Sequence, residues 1–443
     1  MRMRMREHCA VAVPQHIPEY AARRAQLLAA LPDESIAIIP AGLLCYRNRD
    51  NAYPFRQHSD FYYLTGLAEP GHLLILSKQQ NKQQHYICAP EYDAKRLQWE
   101  GPYLHHQDAA TVLELDQAFT IKQAHTLLAE WCAQVRYIYL LDRSWQTVQL
   151  LIPEYVITND VATNQAEVVD LAPLLHGLRS IKSPMELALM QQAADISVSA
   201  HHAVMQACRP GLFEYQLQAA FEYACRYAGA EAMAYNSIVA AGANACVLHY
   251  QQNQQMLRDG DLLLIDAGCE YQSYASDITR TYPVNGRFSA SQAALYDLVL
   301  QAQQDALSLV TPGNRLQQVH QRAVITLAAG LLDLGILSGS LDEVLAKKLY
   351  QPYFMHGIGH ALGLDVHDPG IRRNEHDVLQ PGMVITVEPG IYIHADQHQV
   401  ASHWRGKGIR IEDDILVTAT GFRNLTAALP KTRKEIEALC AQT

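Results

Sequence analysis

Residues 262–280 read LLLIDAGCEYQSYASDITR, and this stretch decides the fold of the larger part of the chain. The apolar run Leu262–Ala267 has the length and composition of a buried strand, and it ends in a carboxylate, Asp266, followed by Gly268. A second strand pattern, Tyr274–Pro283, carries another carboxylate at Asp277. The two acids are eleven residues apart, an odd offset. On one straight strand their side chains would point to opposite faces. A turn around Tyr271–Ser273 instead places them on neighbouring strands, where they converge. The competing readings are plainer: Asp266 as the cap of a turn, and Asp277 as the ion-pair partner of Arg280.

Working outward, Ala234–Ala241, Met383–Ile393 and Gly408–Thr418 also have strand character. Helical patterns lie at about Ala290–Leu309 and Arg315–Leu334. Upstream, Ser183-Pro184-Met185-Glu186 has the form of a helix start, with Ser as N-cap, Pro in the first turn and Glu closing a capping box. That helix is expected to run to about Cys208 and to be followed by another over Glu214–Tyr227. Helices flanking a mostly antiparallel sheet make an α+β domain, expected over residues 175–443. The preceding part alternates strands (Ser35–Ile39, Leu73–Leu76, Tyr137–Leu141) with amphipathic helices (Pro18–Leu31, Gln123–Val135), which predicts an α/β domain over residues 14–174. Met1–Val13 is basic, has no apolar core, and is expected to be a disordered leader.

Composition bounds the function. The 443 residues are 49% apolar and 18% charged, so a sizeable core is expected and wholesale disorder is not. The net charge of −10 argues against a general nucleic-acid binder. The nine cysteines are scattered and form no Cys-x-x-Cys, as expected for reduced thiols in the cytoplasm. No apolar run approaches the roughly 18–20 residues that span a bilayer. His-Glu-x-x-His, Gly-x-Ser-x-Gly and P-loop motifs are all absent.

Three more segments place metal-capable groups beside glycine or at strand ends. His356-Gly-Ile-Gly-His360 is followed closely by His367, and its two glycines argue against a helix there. Glu388 ends an apolar strand and precedes Pro389-Gly390. In Gly408-Ile-Arg410-Ile-Glu412, alternation puts Ile409 and Ile411 on one face and Arg410 and Glu412 on the other. Each segment alone is compatible with an ordinary ion pair or a structural histidine. Together Asp266, Asp277, Glu388 and Glu412 supply four negative charges, which two divalent cations cancel, with His360 as a neutral ligand. Oxygen ligands with one nitrogen suit Mn2+ better than a thiolate-type zinc site does.

At these residues the sequence resembles the pita-bread metallopeptidases (the creatinase/aminopeptidase-like fold), and within them the bacterial aminopeptidase P, or Xaa-Pro aminopeptidase, family. The likeness is densest in Tyr235–Val239, Cys246–Tyr250, Arg258–Gly286, Phe354–Asp368, Glu388–Tyr392 and Gly408–Asp414, and Tyr53–Gly66 looks like that family's N-terminal domain. The resemblance implies two metal ions, usually Mn2+: Asp266 on one, His360 and Glu388 on the other, Asp277 and Glu412 bridging. It also implies that His249, His356 and His367 line the substrate site and that Glu388 shuttles a proton, while Arg410 orients the bridging carboxylates or contacts substrate. Ala243-Asn244-Ala245 and Ala361 depart from residues common in that family, and neither falls on a ligand position.

The function so implied is removal of the first residue from peptides with proline second, through a metal-bridging hydroxide that attacks the scissile carbonyl, with His356 or His367 stabilising the oxyanion. A homo-oligomer, dimer or tetramer, is implied as well. Two other functions are compatible with the fold: a prolidase acting on Xaa-Pro dipeptides, which shares the ligand set, and a non-catalytic binding module, which the intact ligand set disfavours.

Overall fold

A computed structural model describes residues 14–80, 82–141, 166–371 and 377–440. The expected leader, Met1–Val13, lies outside the described residues. The chain forms two compact units, one ending at Leu178 and the other beginning at Arg179.

The N-terminal unit is built on one six-stranded mixed sheet. The sheet and the two longest helices among the described residues of the unit are α1 (Ile17–Ala30), β1 (Ser35–Pro40), β2 (Leu73–Gln79), β3 (Lys82–Ala89), β4 (Gln117–Thr120), α2 (Ile121–Cys132), β5 (Tyr137–Leu140) and β6 (Glu167–Asp170). The strand order is β4-β3-β2-β1-β5-β6. β1, β2 and β3 pair antiparallel, and the remaining neighbours pair parallel. Every residue of β1 is buried, as a central strand covered on both faces requires.

The C-terminal unit begins with α3 (Pro184–Ala207) and α4 (Glu214–Tyr227). The capping box at the start of α3 forms: Ser183 Oγ accepts from the Glu186 amide, and Glu186 Oε2 accepts from the Ser183 amide. Strands β7 (Ala232–Met233), β8 (Ile238–Ala241), β9 (Leu262–Asp266), β10 (Cys269–Tyr271), β11 (Tyr274–Ala275) and β12 (Thr279–Pro283) follow. Then come α5 (Ala290–Leu307) and α6 (Leu316–Asp333). The last strands are β13 (Val384–Val387), β14 (Gly390–Ile393), β15 (Lys407–Arg410), β16 (Asp413–Val417) and β17 (Phe422–Asn424), and the last helix is α7 (Arg433–Cys440).

Among the described residues all strand pairs of this unit are antiparallel, as expected, but they form four small sheets rather than one: β8-β9-β12, β11-β10-β7, β13-β16-β17 and β14-β15. The difference has a local cause. Each of the three long strands expected from the sequence breaks once. Tyr274–Pro283 breaks at residues 276–278, around Asp277; Met383–Ile393 breaks at Glu388-Pro389; Gly408–Thr418 breaks at Ile411-Glu412. Proline has no N–H to give a ladder, which explains one break directly. At all three, backbone groups find partners outside the local ladder. The Asp277 amide donates to the Asp414 carboxylate, Glu388 N–H to Ile358 O, Glu412 N–H to Thr279 O and Ile411 N–H to Pro389 O.

Alternation around the breaks sends the apolar side chains to the core. Leu263, Ile265, Ile385, Val387, Ile409, Ile411 and Ile415 are fully buried there. Gly359 marks a close approach in this packing, since a Cβ on it would collide with the Thr386 carbonyl oxygen of β13. Gly359→Ala is therefore expected to destabilise the C-terminal unit by about 1–3 kcal/mol, the usual cost of overpacking. A urea-unfolding midpoint equal to that of the unsubstituted chain would contradict this contact.

Candidate metal centre

The hairpin quoted at the outset places the first two carboxylates. Gln272 and Ser273 both have positive φ, 47° and 64°, and join β10 to β11 in a two-residue turn of the kind that matches strand twist. The register Glu270↔Ala275 continues through the break as Asp266↔Thr279. In that register Asp277 and Thr279 share the face of Asp266, and the odd offset becomes a convergence. α3 holds the hairpin from behind: Tyr274 donates to Glu186, the Cys269 amide to Ser197, and His201 Nε2 lies 2.9 Å from Ala267 O.

The histidine segment is not helical. It runs beside β13 as an irregular strand, with Glu388 N–H donating to Ile358 O, Thr386 N–H to His360 O and Leu362 N–H to Val384 O. Ala361, one of the departures noted above, forms the bridge to Ile385 within this pairing. The far end of the segment is clamped by Asp368, which accepts from Arg179 at 2.5 Å and Lys182 at 3.0 Å. All three side chains are almost completely buried.

These elements bring the side chains together. Ligand atoms of Asp277, His360 and Glu412 lie within 4.8 Å of one another. His360 Nε2 is 3.4 Å from Asp277 and 3.8 Å from Glu388. Its Nδ1 lies 3.0 Å from Ala361 O and donates to it, which leaves Nε2 facing the carboxylates as the nitrogen that can ligate once it is deprotonated. Asp266 joins through Tyr235, whose hydroxyl lies 2.7 Å from Asp266 and 2.6 Å from Asp277. His356 Nδ1 is 3.7 Å from Glu388 and donates to Gly357 O, so its Nε2 accepts from Tyr392. The His367 ring is centred 4.3 Å from that of His360. His249 and His367 are exposed at the rim.

The two plainer ion-pair readings do not hold. Arg280 pairs with Asp413 at 2.7 Å, not with Asp277, because it lies opposite Ile265 and faces the core. Arg410 pairs with Asp266 at 2.6 Å, not with Glu412 beside it. All three nitrogens of Arg410 are engaged, the other two by Thr279 and Tyr392, and the residue is buried. Thr279 in turn donates to Glu412 at 2.6 Å. Tyr235, Thr279, Tyr392 and Asp414 were not singled out from the sequence. Only Thr279 had a usable signal, being two residues from Asp277 and so on its face.

Burial governs the electrostatics, and crowding of like charge adds to it. Burial, reinforced by Asp277, Glu388 and Asp266, pushes Glu412 well above the ordinary carboxylate range. Burial raises Glu388 to about 7, against the pull of His360 and Arg410. Burial disfavours charge on His360, but the hydrogen bond and charge of Asp277 outweigh it and raise the imidazole to about 9. Asp277 is lowered because its contacts with His360 overcome its burial. Four inward carboxylates with one tautomer-fixed imidazole and one buried arginine are short of positive charge, and oxygen donors with one nitrogen are the donor set for hard or borderline divalent cations.

Residues 188–419 match metallopeptidase family M24, and residues 20–139 match the aminopeptidase P N-terminal domain. The chain belongs to metallopeptidase family M24. This M24 chain is 40% identical to the Xaa-Pro aminopeptidase of Escherichia coli (strain K12) over 428 residues, 95% of this chain and 97% of the relative. The solved structure of Pseudomonas aeruginosa aminopeptidase PepP matches it with a TM-score of 0.92 and 43% identity, over 97% of this chain and 99% of that one. Aminopeptidase P from E. coli with the inhibitor Pro-Leu matches with a TM-score of 0.92 and 39% identity, over 96% and 98%. The fold expected from the sequence, an α/β N-terminal domain followed by a pita-bread domain, is the fold of this family. The chain is a metallo-aminopeptidase, a hydrolase that works with divalent metal ions. No helix among the described residues is long and apolar enough to cross a membrane.

With His360 raised to about 9 and Glu388 to about 7, the metal-free centre holds protons at pH 7. Ligation requires the deprotonated forms, so metal binding expels protons and its affinity falls as pH drops below about 9, and more steeply below about 7. Calorimetric Mn2+ titrations at pH 7 in two buffers of different ionisation enthalpy are expected to show net release of at least one proton. Buffer-independent heats would contradict the electrostatics described.

Proposed function

We propose that the chain removes the N-terminal residue from peptides whose second residue is proline, using two divalent ions, Mn2+ in the first place. The observation that carries this reading is the convergence of Asp266, Asp277, His360, Glu388 and Glu412 from one strand end, three strand breaks and the histidine segment beside β13. The Xaa-Pro aminopeptidase relative and the solved relative holding Pro-Leu support the proline preference. In this reading Asp266 belongs to one ion, His360 and Glu388 to the other, and Asp277 and Glu412 to both. Domain 175–443 carries the chemistry, and domain 14–174 governs assembly and substrate size.

The bound ions would supply Lewis-acid polarisation and acidify a water at neutral pH. The protein groups do the rest. Glu388 takes the proton of the attacking water and returns it to the proline nitrogen, which as a tertiary amide nitrogen must be protonated to leave. His367 at the rim donates to the carbonyl oxygen as charge develops there, while His356, whose ring nitrogens are held by Gly357 O and Tyr392, lines the pocket beside Glu388. His249 holds the peptide. Arg410 acts on Asp266 and Tyr392, whose positions it fixes.

The proposal extends to a homo-oligomer of two or four chains, to be read by light scattering. It also extends to a reducing, cytoplasmic setting, in keeping with the eight described cysteines, all of them thiols.

With added Mn2+, an Xaa-Pro-Xaa tripeptide is expected to be cleaved at least tenfold faster than the matching Xaa-Pro dipeptide. The reverse order would show a prolidase. Asp277→Ala is expected to lose metal-dependent turnover altogether, and near-normal turnover in that variant would rule out the ligand assignment.

A further inference from the structure

Gln303 lies on α5 and is fully buried, yet its hydrogen-bond partners include neither the inward carboxylates nor the pocket histidines. Its Nε2 is 3.2 Å from Val387 O, 3.3 Å from Ile411 O and 3.1 Å from Asp413 Oδ2. Val387 and Ile411 immediately precede Glu388 and Glu412. The amide can face only one way. Lys431 Nζ donates to Oε1 at 2.9 Å and to Asp413 at 2.6 Å, so the NH2 group must face the two carbonyls.

The strand ladders do not cover this point. β13 and β16 pair as far as Val387↔Asp413, and β14 and β15 resume at Gly390↔Arg410. Between these ladders the two breaks share a backbone hydrogen bond, Ile411 N–H to Pro389 O at 3.3 Å. Two buried carbonyl oxygens converging on one point repel each other unless a donor lies between them. Rotation of either peptide unit would carry the next residue's side chain with it.

We infer that Gln303 is a positioning residue for the metal centre, fixing the separation of Glu388 and Glu412 through the peptide carbonyls that precede them. The inference rests on the reading of those glutamates as ligands. Gln303→Met keeps the length of the side chain and removes both donor hydrogens. Gln303→Glu keeps the shape and an acceptor for Lys431, and also removes the donors. Val299→Ala trims the same buried face of α5 one turn earlier and leaves the amide in place.

The test is calorimetric titration of Mn2+ into the metal-free full chain, alongside thermal unfolding of the same metal-free samples. The wild type is expected to bind two ions. Gln303→Met is expected to bind one or both with a Kd raised about 10- to 100-fold, the range for lost partners behind metal ligands. Gln303→Glu should show the same loss and replaces Gln303→Met if the latter does not fold. Val299→Ala should lower the unfolding temperature and leave Kd within about twofold. Wild-type affinity in either Gln303 variant would overturn the inference, as would a Val299→Ala loss of affinity in step with its loss of stability. A wild-type chain that binds no metal would overturn the ligand reading itself.

Discussion

Asp266, Asp277, Glu388 and Glu412 turn their carboxylates into one largely buried space, and their mutual repulsion is the constraint that the rest of the C-terminal unit answers. An uncompensated buried charge costs several kcal/mol. Part of the answer is local. Tyr235 bridges Asp266 and Asp277, Thr279 donates to Glu412, Arg410 neutralises Asp266, and His360 faces Asp277. These contacts leave a deficit of positive charge, which is why the donor set fits divalent cations.

The same constraint accounts for the broken strands. A regular strand sends successive side chains to opposite faces of its sheet. To bring carboxylates from three different strands to one place, the backbone has to leave the ladder at Asp277, at Glu388 and at Glu412. Backbone groups released there must still be satisfied. Asp414 serves the Asp277 amide, Thr279 O serves Glu412, and Ile358 O serves Glu388. Behind the breaks lies a second charged cluster, in which Asp413 accepts from Arg280, Lys431, Thr426 and Gln303, and Arg280 also holds Glu412 O. With that many donors, Asp413 stays ionised far below the ordinary carboxylate range even though it is fully buried. It anchors β16 without drawing on the ligand carboxylates.

Much of this was legible in the sequence where the signal is local. The capping box at Ser183, the turn near Tyr271–Ser273 and the convergence it produces all depend on residues within a few positions of one another. Asp266 and Glu388 stand out in the sequence as carboxylates that end apolar runs, whereas Asp277, His360 and Glu412 were assigned with them only through the family resemblance. The breaks were less legible. Strand-like residues lie on both sides of Asp277, Glu388 and Glu412; Pro389 is a local sign of one break, and at the other two only a distant partner shows that the ladder stops. The arginines misled for the same reason. Arg280 and Arg410 each have an acid near in sequence, yet alternation and the register send them to Asp413 and Asp266, 133 and 144 residues away. Gln303 carries no sequence signal at all, because its role depends on two carbonyls that meet only in the folded unit.

The most direct test of this account is diffraction from crystals of the chain soaked in Mn2+, with data collected on both sides of the manganese absorption edge. The account predicts two anomalous peaks about 3.5–4 Å apart, enclosed by Asp266, Asp277, His360, Glu388 and Glu412, with Asp277 and Glu412 touching both. A single peak, or peaks away from these five side chains, would contradict it.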